Sequence, residues 1–261
     1  MHNYGTVPAM NDHVEASEIL SQPRAGVVRR LWGLIATVLS VLYTAILLIP
    51  CAIVAPFAHG HLVSPLMRLW GRMILLTCGI KIEIDGLENV DGLDSFVLVS
   101  NHQSLFDIVA ICHRIRGEIR FVAKRELRQV PLLGYVLARS ENIVIDRQSG
   151  GKAIRRVIEV ARHGYSICVF AEGHRYSDNR VHEFNDGAAW LAIATHLPCV
   201  PMAICGTAAL MPRGSRFVIP GRRMLMRIGK PIATAGLKSA DRERLTRQLE
   251  DAVRALFVTE V

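Results

Sequence analysis

The sequence predicts an α/β fold in which a mixed, largely parallel sheet is flanked by helices and preceded by an N-terminal membrane-associated helical segment. Two observations carry this prediction. After residue 80, short apolar runs alternate with amphipathic helical patterns, which is typical of layered α/β domains. Before it, the run Leu31–Phe57 contains no charged residue. The rest of the 261-residue chain is long enough to bury the core of one domain.

The apolar run is long enough to cross a bilayer. As a helix, Leu31–Phe57 would measure about 40 Å, against a hydrocarbon core of roughly 30 Å. Pro50 and Pro56 each remove a backbone donor, so a re-entrant hairpin is the alternative, and the similar basic residues on both sides favour it. We divide the chain into a polar N-terminus expected to be disordered (1–25), membrane-anchoring helices (26–80) and one globular domain (81–261).

A second helical pattern lies between His61 and Ile80. Arg68 and Arg72 are four residues apart, and therefore on one helical face, among apolar residues. The pattern predicts an amphipathic helix at a membrane interface. The alternative is a buried helix whose arginines extend to solvent.

The net charge and the cysteine content indicate which class of partner the protein binds and whether its compartment is reducing. The net charge of +8 belongs wholly to the part after residue 60, because residues 1–60 contain three arginines and three acids. A cationic domain beside an apolar anchor suits anionic membrane lipids. We expect no nucleic-acid partner, since the basic residues are not interleaved with aromatic ones. The six cysteines form no C-x-x-C pair and are expected to be reduced, which fits a cytosol-facing domain.

Seven strands and three helices are predicted for the globular domain. The helices show apolar residues at helical spacing, and the last has Ser239 as its predicted N-cap. The predicted strands are Lys81–Asp85, Phe96–Ser100, Ile119–Val122, Ile143–Asp146, Ser166–Phe170, Cys199–Ile204 and Met224–Ile228. The predicted helices are Lys152–His163, Ala188–His196 and Ala240–Phe257.

A histidine and an aspartate follow the apolar strand Phe96–Ser100. His102 comes directly after this strand, and the carboxyl ends of strands are where open α/β sheets place their ligands. Asp107 lies five residues further on, across the turn into a helix, so its carboxylate can accept a hydrogen bond from one imidazole nitrogen. The other nitrogen would then act as a base toward a hydroxyl that attacks a carbonyl.

A second unusual segment predicts a phosphate site. The run Ser166–Phe170 leads into Glu172-Gly173-His174-Arg175, where glycine permits close backbone approach and Arg175 offers a fork of donors for phosphate. Arg147 and Lys124 also follow predicted strands. The alternative is a surface turn in which Glu172 pairs with Arg175, with the other two as solvated charges.

The sequence contains none of the motifs that mark several other classes of enzyme or cofactor-binding protein. We find no G-x-S-x-G, G-x-x-x-x-G-K-[ST], G-x-G-x-x-G or H-E-x-x-H pattern. Histidines and cysteines also lack the spacing of metal ligands. We therefore expect neither a metal nor a resident cofactor.

The ordered set of segments resembles the glycerolipid acyltransferase family typified by 1-acylglycerol-3-phosphate acyltransferases. The family's N-H-x-x-x-x-D motif is matched in full, and the resemblance extends over roughly Ile80 to Ile232. The matching segments are Asn101–Asp107 (NHQSLFD), Phe121–Leu127 (FVAKREL), Asn142–Arg147 (NIVIDR), Phe170–Arg175 (FAEGHR), Cys199–Ile204 (CVPMAI) with Gly206-Thr207, and Gly229–Ile232 (GKPI).

The resemblance implies a reaction and a role for each matching residue. His102 would be the general base and Asp107 its orienting partner, for direct acyl transfer from acyl-CoA or acyl-carrier protein to a lysophospholipid. No acyl-enzyme is needed. It further implies a bacterial inner-membrane enzyme with its catalytic domain on the cytoplasmic side. The residues expected to hold the acceptor phosphate are Arg147, Glu172, Gly173, Arg175 and Lys124. Those expected on the acyl side or in structural roles are Asn101, Val200 and Pro201.

The chain departs from the family pattern at four places. Ala171 replaces a proline and His174 a threonine. Glu141 replaces a glycine, and Asn185 stands where a lysine is common, so we expect one added acid and one lost cation near the head-group site. Two alternatives to lysophosphatidate acylation are open. One is O-acylation of another lysolipid, such as a lyso-ornithine lipid or another lysophospholipid. The other is a non-catalytic lipid-binding protein on the same fold.

Overall fold

A computed structural model of the protein describes residues 26–57, 61–145, 150–212 and 214–258. The strands are β1 (Lys81–Asp85), β2 (Val97–Ser100), β3 (Ile119–Lys124), β4 (Ile143–Ile145), β5 (Ser166–Phe170), β6 (Cys199–Cys205) and β7 (Arg223–Ile228). The α-helices are α1 (Val27–Val54), α2 (Val63–Thr77), α3 (Phe106–Arg114), α4 (Leu133–Arg139), α5 (Gly150–Arg162), α6 (Gly187–Thr195) and α7 (Arg242–Leu256).

All seven strands join one sheet in the order β1-β7-β6-β2-β5-β3-β4. Neighbouring strands are parallel except β6 and β7, which are antiparallel. The prediction of a mixed, largely parallel sheet is therefore confirmed. β2 lies between β5 and β6, and all four of its residues are buried. This explains why its sequence is continuously apolar and does not alternate.

Two apolar cores cover the two faces of the sheet. Successive residues of a strand point to opposite faces, so Leu98 enters one core while Val97 and Val99 enter the other. The first core contains residues of α1, α2 and α3. The second contains residues of α5, α6 and α7, including Val157 and Leu249. The central strand β2 is thus fixed from both sides.

The apolar N-terminal run forms one helix. α1 continues for 28 residues and passes through Pro50, which removes one backbone hydrogen bond without ending the helix. The hairpin alternative is therefore wrong for the described residues. By length and composition, α1 is able to cross a membrane.

α1 also packs against the globular domain along one face. Gly33 lies so close to the 218–220 segment that an added Cβ would be 2.3 Å from the carbonyl oxygen of Val218. Val218 N–H donates to Thr37 Oγ1 at 3.0 Å, and Trp32 Nε1 donates to the carbonyl of Thr77 at 3.0 Å. Further along α1, Cys51 is buried in a small apolar cluster. The opposite face of α1 exposes large apolar side chains.

α2 is amphipathic, as predicted. Gly71, Ile74 and Leu75 are buried, while Leu76 and Arg72 are exposed. Gly71 allows close contact with α3, because an added Cβ would lie 2.8 Å from the carbonyl oxygen of Val109. The position of α2 at a membrane interface stays a prediction.

Some predicted boundaries differ from the structure. The N-cap prediction for Ser239 is wrong, because this residue begins a 3-10 turn that ends at Asp241, and α7 starts at Arg242. Asp241 instead accepts a hydrogen bond from the backbone N–H of Lys238 at 2.9 Å. The predicted disordered region 1–25 lies outside the described residues.

The close approach at Gly33 predicts the effect of a larger residue. Gly33→Leu should displace α1 and lower the free energy of unfolding by about 1–3 kcal/mol, since overpacking forces the backbone to shift. Chemical denaturation in detergent measures this. The exposed neighbour gives the control, because Leu34→Phe should change stability by less than about 0.5 kcal/mol. Equal stability of both variants would show that α1 is not tightly packed.

Candidate active site

The site begins where β2 ends, at Asn101. Its side-chain Nδ2 donates to the carbonyl of Ile204 at 2.9 Å, and its Oδ1 accepts from the N–H of Ile204 at 2.8 Å. The side chain thus extends the pairing between β2 and β6 by one residue. Because the sheet is completed in this way, the main chain can turn away at His102 without leaving buried groups of β6 unsatisfied. This supports the structural role expected for Asn101.

The carboxylate of Asp107 is fully buried and accepts four hydrogen bonds. Oδ2 accepts from His102 Nδ1, Gln103 N–H and Ser104 N–H, each at 2.8 Å, and Oδ1 accepts from Thr207 Oγ1 at 2.6 Å. Asp107 lies in the first turn of α3, where a negative charge is favourable. The predicted contact between Asp107 and His102 is therefore present.

His102 is held in a single orientation. Its ring stacks on Phe170 with 3.9 Å between centroids, and its Nδ1 faces Asp107. The carboxylate can only accept, so Nδ1 carries the proton and Nε2 keeps a free lone pair. The side chain is 14% exposed, which leaves it within reach of a substrate. The geometry suits a general base.

Thr207 is a site residue to which the sequence analysis assigned no role, although it lies in one of the segments that match the family. It follows β6, which pairs with β2 in parallel, so both strands end at the same edge of the sheet. Its hydroxyl is fully buried and donates to Asp107. Its position just after a predicted strand could have marked it as a candidate site residue. Its contact with Asp107 could not be predicted, because that contact depends on β6 lying beside β2.

Glu172 holds the main chain of the site. It is 2% exposed, and its Oε2 accepts from the N–H of His102 at 3.0 Å. Its Oε1 accepts from the N–H of His182 at 3.0 Å. Burial raises the pKa of this carboxyl to about 7, although the two backbone N–H groups oppose the shift. Both oxygens are occupied by amides, so the contacts favour a positioning role over the predicted contact with phosphate.

The loop after Glu172 is bound to the His102 segment. Tyr176 N–H donates to the carbonyl of His102 at 3.0 Å, and Ser177 Oγ donates to the carbonyl of Gln103 at 3.3 Å. Gly173 has a φ of +70°, a conformation that favours glycine. Arg175 lies half-buried on this same loop. Its contact with phosphate stays a prediction.

The other predicted site residues are more scattered. Lys124 is exposed at the end of β3, and Arg147 lies outside the described residues. Val200 is fully buried in the core between the sheet and helices α1–α3. Pro201 is also buried, and its carbonyl accepts from the N–H of Gly229 at 2.8 Å. Both support the sheet from inside and do not line a surface.

Two residues that depart from the family pattern do not act as expected. Glu141 lies far from the site, and the side chain of Asn185 is hydrogen-bonded to the main chain. Glu141 precedes β4, at the sheet edge opposite to the one bearing His102, and its carboxylate is 2.9 Å from His163 Nδ1. The expectation of an added acid near the head-group site is therefore wrong. Asn185 Nδ2 donates to the carbonyl of Ala171 at 3.1 Å, so this amide stabilises the loop.

Comparison with known proteins identifies the family. Residues 81–205 match the model of the acyltransferase family. An acyltransferase of Schizosaccharomyces pombe is 32% identical over 221 residues, covering 77% of this chain and 79% of the yeast protein. This chain belongs to the acyltransferase family.

Two further acyltransferases extend the comparison. The crystal structure of the 1-acyl-sn-glycerophosphate (LPA) acyltransferase from Thermotoga maritima superimposes with a TM-score of 0.74 at 25% identity, covering 87% of this chain and 95% of that one. A chloroplastic 1-acyl-sn-glycerol-3-phosphate acyltransferase of Brassica napus is 31% identical over 169 residues, or 63% of this chain. The chain spans about half the length of that plant relative, 48%.

The Thr207 contact gives a first test of the site. Thr207→Val removes a hydrogen bond to a buried carboxylate, worth about 1.5–3 kcal/mol. We expect kcat for acyl transfer to fall roughly ten- to hundredfold, with the acceptor KM nearly unchanged. Steady-state kinetics measures both. Thr207→Ser keeps the hydroxyl and should retain most of the activity. Equal losses in the Val and Ser variants would contradict the role of the hydroxyl.

Glu172→Gln tests the positioning role. Glutamine keeps the size of the side chain, but its NH₂ group would face one of the two backbone donors. Because the backbone at His102 loosens, we expect kcat to fall about tenfold with little change in acceptor KM. A phosphate-contacting residue would mainly change KM, and that result would refute the positioning role.

The raised pKa of Glu172 predicts a pH dependence of stability. The folded pKa of about 7 lies above the ordinary value of 4.5, so the folded protein binds the proton more tightly. The free energy of unfolding should therefore fall as pH rises from about 4.5 to 7. Denaturation across this range should show the slope in the wild type and its reduction in Glu172→Gln.

Proposed function

We propose that the protein transfers a fatty acyl group from an acyl thioester to the sn-2 hydroxyl of lysophosphatidate, giving phosphatidate in phospholipid biosynthesis. The observation that carries the proposal is the buried Asp107 carboxylate, which orients His102 so that Nε2 is the available base. The names of the Brassica napus and Thermotoga maritima relatives, which act on 1-acylglycerol phosphates, support the acceptor. The donor is acyl-CoA or acyl-carrier protein, which carry the same thioester.

The geometry supports direct transfer. His102 Nε2 accepts the proton of the acceptor hydroxyl while that oxygen attacks the thioester carbonyl. As the tetrahedral intermediate collapses, the new C–O bond remains, the C–S bond breaks, and the imidazolium returns the proton to the leaving thiolate. Asp107 stabilises the imidazolium between these two steps. No covalent acyl-enzyme is formed.

The acceptor phosphate is proposed to bind on the loop after β5. Arg175 offers a bidentate fork, and the backbone of Gly173 can approach closely. Lys124 ends β3, at the same edge of the sheet as His102, and this position supports a role in neutralising the phosphate. For Arg147, which lies outside the described residues, the same role is proposed from the resemblance to the family motif alone.

The two alternatives have less support. Glu141, which favoured a different lysolipid, lies at the opposite sheet edge, and Asn185 is bonded to backbone. The altered residues Ala171 and His174 remain as reasons to test a lyso-ornithine lipid. A non-catalytic lipid-binding protein would have no need for the complete hydrogen-bond set around Asp107.

Membrane association is part of the proposal. The outer face of α1 exposes apolar side chains such as Val38, Val41 and Ile46, and the exposure of this apolar surface to water is unfavourable. The six cysteines are free thiols, in keeping with a reducing compartment. We propose a bacterial inner-membrane location, with the catalytic domain on the cytoplasmic side.

The reaction can be tested with purified protein in vesicles containing lysophosphatidate and a long-chain acyl-CoA. Removing the base in His102→Ala should lower turnover by roughly 10²- to 10⁴-fold. The matched control is His196→Asn, because asparagine tolerates the left-handed backbone of that exposed histidine. Undiminished turnover in His102→Ala would exclude the mechanism. Competition with a lyso-ornithine lipid in the same vesicles identifies the preferred acceptor.

A further inference from the structure

The segment that runs from the last residue of β3 to the start of α4 is unusually exposed. Residues 124–132, which we call the mouth segment, are exposed without exception. The segment includes Leu127, Val130 and Leu132, and Tyr135 follows in α4. These four residues are between 40% and 44% exposed. Clustered exposed apolar side chains mark an interaction surface.

Backbone conformation supports the same conclusion. Leu132 has a φ of +63° and a ψ of −46°, which is close to the rare and strained γ-turn conformation. Such a conformation costs an L-residue roughly 1–3 kcal/mol. In water, Leu132 gains little in return, because much of its apolar surface stays solvated. Such strain persists at sites where a partner or ligand binds.

The mouth segment is continuous with the apolar surface of α1. Val136, just after the segment, packs in one cluster with Cys51 and Ala55 at the end of α1. On this part of α1, Ile53 and the following Phe57 are each 63% exposed. The two apolar surfaces therefore lie side by side.

The segment also lies at the end of the sheet that carries the catalytic base, with β5 between β3 and β2. It follows β3, a parallel strand whose carboxyl end is at the same sheet edge as His102. A row of rings runs from His102 towards the segment: His102 stacks on Phe170 at 3.9 Å, and Phe170 stacks at 6.5 Å on Phe121, which lies in β3 three residues before the segment. The two phenylalanine rings offer an apolar surface beside the base, as a path for a fatty acyl chain would.

The charges of the segment indicate which apolar partner it meets. The segment contains three basic residues, Lys124, Arg125 and Arg128, and one acidic residue, Glu126. Basic side chains between exposed apolar ones are typical of segments that lie in the interface of an anionic bilayer.

We propose that the mouth segment inserts Leu127, Val130 and Leu132 into the interface of an anionic bilayer, so that the acceptor lysolipid enters the site from within the leaflet. This rests on the proposed function, since it assigns that site a lateral entrance. The segment then forms a second membrane contact besides α1, placed at the opening of the site.

Insertion can be measured directly with a fluorescent probe. Leu127→Cys and Ala255→Cys, on the exposed surface of α7, are each labelled with an environment-sensitive dye in the full chain. Background labelling should be slow, because five native thiols are buried and burial raises the pKa of Cys112 to about 12. In phosphatidylglycerol vesicles, the dye at position 127 should shift to the blue and be quenched by doxyl-labelled lipid. The dye at position 255 should be quenched only by aqueous iodide. Equal iodide quenching at both positions would overturn the proposal.

Kinetics separates entry from chemistry. The double variant Leu127→Glu/Val130→Glu should raise KM for a long-chain lysolipid in anionic vesicles at least tenfold, since buried acids oppose insertion. Turnover of a short-chain, water-soluble acceptor should stay within twofold of the wild type. Ala255→Glu, which adds an acid on the other face, should affect neither. Equal losses with both acceptors, or no loss with either, would contradict lateral entry.

Two further outcomes have defined meanings. A loss seen with acyl-carrier protein but not with acyl-CoA as donor would assign the segment to carrier-protein docking and overturn membrane insertion. Wild-type protein that turns over no acceptor would refute the proposed function, and the dye measurement would still decide insertion.

Discussion

The buried carboxylate of Asp107 is the interaction on which the site depends. A buried charge is costly unless hydrogen bonds replace its water, and here four donors do so. Two of them are backbone N–H groups before α3, and one comes from Thr207 at the end of β6. The same carboxylate therefore joins the turn after β2, the start of α3 and the neighbouring strand. The Asp107 carboxylate therefore both orients the ring of His102 and holds the surrounding main chain in place.

Glu172 complements Asp107 from the other side. Asp107 fixes the ring of His102 through Nδ1, whereas Glu172 fixes its main chain through the N–H. Burial is the main cause of the raised pKa of Glu172, and the nearby Asp107 adds a smaller contribution. The base is thus held at two points by two carboxylates, which restricts both its position and its direction.

The fold was largely predictable because it is encoded locally. Short runs rich in apolar residues predicted all seven strands, and the five-residue spacing was sufficient to pair His102 with Asp107. The contacts of Thr207 and Asn101 were not predictable, because both depend on β6 lying beside β2, which only the strand order reveals. The role assigned to Glu172 differed for another reason: a motif gives the residue type but not which groups already occupy its oxygens.

The packing of α1 has a consequence for how the protein would meet its lipids. Its contacts with the domain run from Arg29, which donates to the carbonyl of Gly221, to Cys51, which packs near Val136, so α1 lies against the domain along most of its length. In a bilayer, the height of His102 above the hydrocarbon core would therefore be constant. An acceptor lipid would have to bring its hydroxyl to that height in order to react. Lipids whose hydroxyl lies at another depth would react poorly, whatever contacts their head groups could make.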